Sequence, residues 1–247
     1  MKKGIVYTCI TGGYDWLRDH AFMHPDWEYV CFSDNLSIRN WNNTKWDIRP
    51  LRFGETDPVR NQRWHKLHPH VLFPEYGISL WVDGNVDILD AGVFDDVGRV
   101  VREKRSIAAS NHPMRDCLYD ELDACIELRK DDIDVMKGQI DLMRRDGFPT
   151  HYGLFETNIL FRRHGDATVK KAMEDWWWVL NHSRRDQLSL TYVLWKNGIT
   201  MGSLSDIPYR NSPGVRFVYR KRHAATDFVA RIRVKYLEMY DRYGPFV

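Results

Sequence analysis

The sequence predicts an α/β fold with a mostly parallel central sheet flanked by helices. Three observations carry this reading. Short, nearly continuous apolar runs recur through the first half; each closes in a polar or glycine turn; and segments with three-and-four apolar spacing separate them.

The first run, Ile5 to Ile10, closes in Thr11-Gly12-Gly13 and reads as a buried strand with a glycine turn. Tyr29-Val30-Cys31-Phe32 before Ser33-Asp34-Asn35 repeats the pattern, and Trp46 to Leu51 is expected as an edge-like third strand. Thr56-Asp57-Pro58 supplies a cap with proline in the first turn, which predicts a helix running to about Leu72. Ile78 to Val82 is the next strand, closed by Asp83-Gly84-Asn85, and Ser106 to Ser110 is another, leading into Asn111-His112-Pro113. Between Arg115 and Arg145 the apolar spacing predicts two helices broken at Lys130-Asp131-Asp132. Gly153 to Phe161 is strand-like; Ala167 to Leu180, Asp186 to Trp195 and Thr226 to Tyr240 are expected helices. No repeat, linker or low-complexity tract interrupts the pattern, so residues 1–247 are expected as one domain. Its expected parts are a first half over 1–110, a second half over 111–225 and a closing helix over 226–247.

Composition removes several function classes. At 247 residues with 36 basic and 34 acidic side chains, the net charge of +2 lacks the excess expected of a nucleic-acid binder. No apolar run reaches the length of a membrane span. Four cysteines without a Cys-x-x-Cys pair make neither a disulfide framework nor a structural zinc motif, and a reducing, cytoplasmic setting is the expectation. The aromatic load is high, with 10 Trp, 12 Tyr and 11 Phe. Trp176, Trp177 and Trp178 are consecutive on a predicted helix and cannot all face one core, so at least one is expected at a surface.

Parallel sheets bind ligands at the carboxyl ends of their strands. The clusters 11–15, 33–35, 83–85 and 111–112 all follow predicted strands and therefore converge on one edge. In Asp83-Gly84-Asn85-Val86-Asp87, a carboxylate delivered by a buried strand suits Mg²⁺ or Mn²⁺ holding a diphosphate, although Asp-Gly-Asn is also ordinary turn chemistry. Gly12 permits close approach of a nucleotide, and Asp34 offers an acceptor to a ribose or base edge; a plain turn is the alternative for each. Arg60, Arg63, Lys66 and His70 form one helical stripe able to meet phosphate or to face solvent. Arg222 and His223 belong to a second basic cluster that would stabilise a diphosphate leaving group. His112 is a ligand or acceptor-contact candidate, or a satisfied structural residue. Glu156 interrupts an apolar strand, where a carboxylate is costly unless paired or functional, and is a candidate base. Asp186 and Gln187 open a late helix; Asp186 either caps it or faces the reacting sugar.

In their order these motifs resemble the glycosyltransferase-like domain of plant mucilage-biosynthesis and turgor-regulation proteins. The resemblance rests on 6–15, 29–34, 60–66, 81–85, 112–115, 153–158 and 184–189, and spans about residues 4 to 198. It implies a GT-A-type nucleotide-sugar fold, with a nucleotide-sugar-binding half over 1–110 and an acceptor-side half over 111–225, and transfer of a sugar from a nucleoside diphosphate, UDP by expectation, to a hydroxyl of a glycan or lipid-linked glycan in surface polysaccharide synthesis. By the same resemblance Thr8, Gly12 and Asp34 line the nucleoside pocket, Arg63 and Lys66 contact the donor, and Asp83 stands at the Asp-x-Asp site. Asn85 replaces the second carboxylate there, so either metal affinity is lower or Asp87 or His223 completes the shell. The Asp186-Gln187 pair leans toward a retaining reaction. Rival readings are a metal-dependent hydrolase of an amide or ester and a non-catalytic glycan-binding module. From Arg216 to Arg242 eight basic residues face three acidic ones among apolar side chains, which suits either a capping helix or peripheral contact with an anionic membrane.

Overall fold

A computed structural model describes residues 3–36, 44–55, 57–205 and 216–220. The elements run β1 (Gly4–Ile10), β2 (Trp27–Ser33), β3 (Asp47–Pro50), α1 (Pro58–Leu67), α2 (Pro69–Leu72), β4 (Ile78–Val82), β5 (Val86–Ile88), α3 (Gly92–Arg102) and β6 (Ile107–Asn111). There follow α4 (Leu118–Glu127), α5 (Ile133–Arg145), β7 (Phe155–Arg163), α6 (Ala167–Leu180), a 3₁₀ turn (Asp186–Leu188), α7 (Leu190–Lys196), β8 (Gly202–Ser203) and β9 (Phe217–Tyr219).

Seven strands form a twisted sheet in the order β3-β2-β1-β4-β7-β6-β8. Every neighbouring pair is parallel except those of β7, which runs antiparallel to both β4 and β6. Because β7 runs against its neighbours, its first residues lie at the edge where β1, β2, β4 and β6 end. Strands β1, β2, β4, β6 and β7 are buried along nearly their whole length, as their continuous apolar runs require, whereas β3 at the sheet edge is exposed to half-buried. One core packs Ile5, Tyr7, Trp81 and Leu160 against the helices α4 to α7, with Tyr7 edge-on to both Phe73 and Trp81. The other packs Val6, Ile10, Leu80, Val82 and Phe161 against α3, β5 and Phe217.

Several expected bounds shift for physical reasons. The helix expected to reach Leu72 breaks at His68, because Pro69 has no N–H to continue the ladder and crowds the residue before it; α2 restarts on that proline. The break near 130 occurs as expected, with the Asp132 carboxylate accepting from the amides of Asp134 and Val135 to cap α5. The helix expected from Asp186 is a single 3₁₀ turn followed by α7. Helix α3 and the short strands β5, β8 and β9 were not anticipated. The expected helix over 226–240 lies outside the described residues.

The three tryptophans diverge as the helical geometry demands. Trp176 is fully buried with its indole N–H donated to Ser189 Oγ at 2.9 Å, Trp177 packs edge-on to Phe53 and His68, and Trp178 is 67% exposed. Trp64 is sandwiched between Phe53 and His68, with ring centroids 5.1 and 4.5 Å away, so neither face is open to a sugar.

Candidate active site

Strand β4 delivers Asp83 to the carboxyl edge, and its own Trp81 orients it: the indole N–H donates to Asp83 Oδ1 at 2.7 Å. The next residue must be small. A Cβ on Gly84 would lie 2.9 Å from Ile10 Cγ1, so the turn after β4 packs directly on the end of β1. On the other side β7 departs from regular pairing. Consecutive residues Ala109 and Ser110 of β6 pair with Leu160 and Glu156, so Thr157, Asn158 and Ile159 bulge out of that ladder. The bulge turns Thr157 and Asn158 toward the end of β4, where the Asp83 amide donates to the Asn158 carbonyl at 2.8 Å.

Helix α1 lies over this edge and presents Arg63 and Lys66 one turn apart. Lys66 is fully buried; its ammonium lies 2.6 Å from Asp186 Oδ2, 3.6 Å from Asp83 Oδ1 and 5.6 Å from the centre of the Trp81 ring. Asp186 also accepts from the Thr157 hydroxyl at 2.7 Å, and Arg63 lies 3.4 Å from its other oxygen. Burial alone would raise the Asp186 carboxyl, but the charges of Arg63, Lys66 and Arg185 outweigh it and hold the group well below the usual carboxylate range. Burial pulls the Lys66 ammonium below its ordinary value, against the opposing attraction of Asp186 and Asp83. The Lys66 carbonyl is anchored from behind by the Tyr7 hydroxyl at 2.7 Å and by the buried Arg162 guanidinium.

Glycines 12 and 13 both adopt left-handed conformations, φ +62 and +63, and the Gly12 amide donates to Asp34 Oδ2 at 2.8 Å, joining the loops after β1 and β2. Thr8 lies inside the sheet at 2% exposure. The segment 216–220 returns along the same edge: β9 pairs with β5, the Arg220 amide donates to the Asn85 carbonyl at 2.7 Å, and the Tyr219 hydroxyl accepts from the Asn158 amide group.

Asp83, Lys66, Arg63 and Asp186 are thus brought together, with Gly84 and Asn85 beside them; Gly12 and Asp34 lie one and two strands away. Other expected residues are not. Arg60 donates to the Leu180 and Asn181 carbonyls at 2.9 and 3.1 Å, closing the end of α6 instead of facing a donor, and His70 pairs with Glu174. His112 Nδ1 accepts from the amides of Met114 and Arg115, which folds its own loop. Asp87 is held by the Ala21 amide at 2.8 Å and by Arg220 at 2.6 Å; despite burial these partners depress its carboxyl to about 2. It therefore anchors the 19–21 loop and does not turn toward Asp83. Gln187 accepts from Arg185, and Glu156 is buried at the start of β7. Arg222 and His223 lie outside the described residues.

Sequence reasoning missed Thr157, Asn158 and Tyr219. The polar pair inside the apolar 154–161 run was a visible signal, whereas Tyr219 left none.

A divalent cation fits the residues present. Asp83 Oδ2 and the Asn85 amide have no hydrogen-bond partner among the described residues, and a hard cation accepts two such oxygens with the rest from phosphate and water.

The family model described as TOD1/MUCI70, glycosyltransferase-like domain, matches residues 3–205. Among solved structures, mouse xyloside xylosyltransferase 1 in its apo form aligns over 89% of this chain and 97% of its own, at 9% identity and TM-score 0.52. The apo structure of the bifunctional glycosyltransferase WbbM aligns over 99% of this chain at 10% identity and TM-score 0.45, and this chain spans only 46% of its length. No curated protein matches. The sheet order and the likeness to the xylosyltransferase give the chain a GT-A-like fold, and the match over residues 3–205 makes it a member of the TOD1/MUCI70 glycosyltransferase-like family.

Proposed function

We propose that the protein transfers a sugar from a UDP-sugar to a hydroxyl of a glycan or lipid-linked glycan in surface polysaccharide synthesis, on the cytoplasmic side of a membrane. The observation that carries this reading is the Asp83–Lys66–Asp186–Arg63 cluster at the carboxyl edge of the sheet. Its two cations stand where a diphosphate leaving group gains charge, and they are held in place before any ligand arrives. Arg63 retains some solvent contact and meets the diphosphate; Lys66 stays buried and sets the position of Asp83. The loop joined by Gly12 and Asp34 takes the nucleoside, and Tyr14, 61% exposed beside it, offers a ring to the base.

Asp83 and Asn85 would hold Mn²⁺ or Mg²⁺, which when bound neutralises the diphosphate as a Lewis acid. With one carboxylate in place of two and Asp87 committed to Arg220, cation affinity in the absence of nucleotide is weak. Asp186 is a poor proton acceptor, since its carboxyl is held far below neutrality by buried cations. Its role is to neutralise Lys66 and Arg63 and to hold Thr157, a role that a retaining reaction accommodates without a carboxylate base.

Thermal melts with UDP, GDP, CDP and their sugars, each with and without Mn²⁺, test the reading. UDP with Mn²⁺ should raise the melting temperature and Asp83→Ala should abolish the rise. A panel of nucleotide sugars assayed for donor hydrolysis then identifies the sugar. Absence of any nucleotide-dependent shift would remove the donor assignment, while glycan binding that survives Asp83→Ala without donor consumption would support a binding module instead. Near-normal turnover in Glu156→Gln would agree with the retaining reading.

A further inference from the structure

We propose a second metal site, of the zinc class, formed by Cys117, Asp120 and His151 and separate from the Asp83 cluster. One ligand atom from each of the three lies within 4.8 Å of those of the other two. Tetrahedral zinc, with bonds of about 2.0–2.3 Å, sets its ligand atoms about 3.4–3.8 Å apart, so closure needs a movement of about 1 Å per pair. Asp120 and His151 are exposed and free to make it, while Cys117 is buried and fixed at the start of α4.

The chemistry of the set points to a borderline cation. Thiolate, imidazole and carboxylate together suit Zn²⁺ or Co²⁺, whereas Mg²⁺ and Mn²⁺ prefer the all-oxygen set at Asp83. Cys117 occupies the N-terminal cap of α4 and Asp120 follows three residues later, so both lie on one face of its first turn. His151 already has an orienting partner. Its Nδ1 is hydrogen-bonded to Asp116 Oδ1 at 2.8 Å, the arrangement of a carboxylate behind a metal-binding imidazole, which leaves Nε2 for the cation. Three protein ligands leave the fourth position to water.

The placement gives the site a consequence. Cys117 and Asp120 come from the start of α4 and His151 from the 148–154 loop; that loop is already joined to the 112–117 loop before α4 by the His112 amide to the Leu154 carbonyl and the Gly153 amide to the Asp116 carbonyl, both at 2.8 Å. The 148–154 loop feeds β7, whose opening residues include Glu156, Thr157 and Asn158. A cation here would brace the segment from which the bulge beside Asp83 starts.

Cobalt titration of the full chain at neutral pH provides the test. A thiolate-to-cobalt charge-transfer band should grow to a single equivalent, be displaced by zinc, and disappear in both Cys117→Ser and His151→Ala. It should persist in Asp83→Ala, which separates this site from the donor-side cation, and Asp116→Ala should weaken cobalt binding by about 10–100-fold. Because His151 is on the surface, His151→Ala decides the matter if Cys117→Ser folds poorly. No band in the native chain, or a band that survives His151→Ala, would overturn the proposal.

Discussion

Asp186→Asn is the sharpest perturbation of the candidate active site. It keeps the shape of the side chain but removes the charge from a carboxylate that is 4% exposed and in contact with Lys66, Thr157 and Arg63. Lys66 is then left fully buried with Asp83 as its remaining carboxylate, at 3.6 Å. Removing one partner of a buried ion pair costs about 3–5 kcal/mol, since the remaining charge has lost its solvation without compensation. For a chain of 247 residues, about 2 °C per kcal/mol translates this into a melting temperature lower by about 6–10 °C. The depressed Asp186 carboxyl contributes stability that is complete above the unfolded carboxylate value and is lost only as pH falls through the folded one. The deficit of Asp186→Asn should therefore be constant between pH 6 and 8.

The double variant Lys66→Met/Asp186→Leu separates this account from general damage. Removing both charges leaves no buried ammonium without a partner, so its loss should fall short of the summed losses of Lys66→Met and Asp186→Leu alone by about 0.5–3 kcal/mol. Urea denaturation followed by circular dichroism measures all three. Additive losses, or an Asp186→Asn protein as stable as the native one, would refute the buried pair as the support of this site.

Other consequences follow from particular contacts. Arg60→Ala removes hydrogen bonds to the end of α6 and should cost about 1–2 kcal/mol with nucleotide-induced stabilisation intact, whereas Arg63→Ala should lose that stabilisation; melts with and without UDP distinguish them. Gly84→Ala drives a methyl against Ile10 and should lower stability by about 1–3 kcal/mol in denaturant titration. Trp176→Ala should cost about 3–5 kcal/mol while Trp178→Ala stays within about 0.5 kcal/mol, read by the same titration. Burial pulls the His65 and His164 imidazoles down to about 4, so the folded state binds fewer protons than the unfolded one; stability should fall as pH drops from 6.5 toward 4, and His65→Gln should flatten part of that slope.

The fold was legible where local pattern and tertiary role agree. β1, β2, β4 and β6 are buried on both faces and end in turn residues, so their apolar runs and their carboxyl-edge clusters could be read directly. Helix α3 carries Val93, Phe94, Val97 and Val100 at helical spacing and was recoverable from that signal. β5, β8 and β9 were not: strands of two or three residues have no periodicity of their own, and β9 exists by pairing with β5 across some 130 residues of chain. The charged stripe on α1 shows the same limit. Spacing places Arg60, Arg63, Lys66 and His70 in a row, yet they end on different partners: Arg60 on the carbonyls at the end of α6, Arg63 and Lys66 both on Asp186 of the 3₁₀ turn, and His70 on Glu174 of α6.

Assembly of the candidate site depends most on a feature with no local signature, the bulge at Thr157–Ile159. In a regular ladder with β6, every residue of β7 would be committed to cross-strand pairing or to the core. Releasing three residues lets Asn158 accept from the Asp83 amide while Thr157 donates to Asp186, which links the end of β4 to a turn about a hundred residues later. Asp83 and Asp186 are then two carboxylates with different environments. Asp186 is neutralised on several sides and is structural in its electrostatics, whereas Asp83 keeps one oxygen without a partner among the described residues. Residue type alone assigned both to chemistry; the bulge and the buried Lys66 divide the work, leaving Asp83 as the carboxylate able to meet a ligand and Asp186 as the one that holds the cations in place.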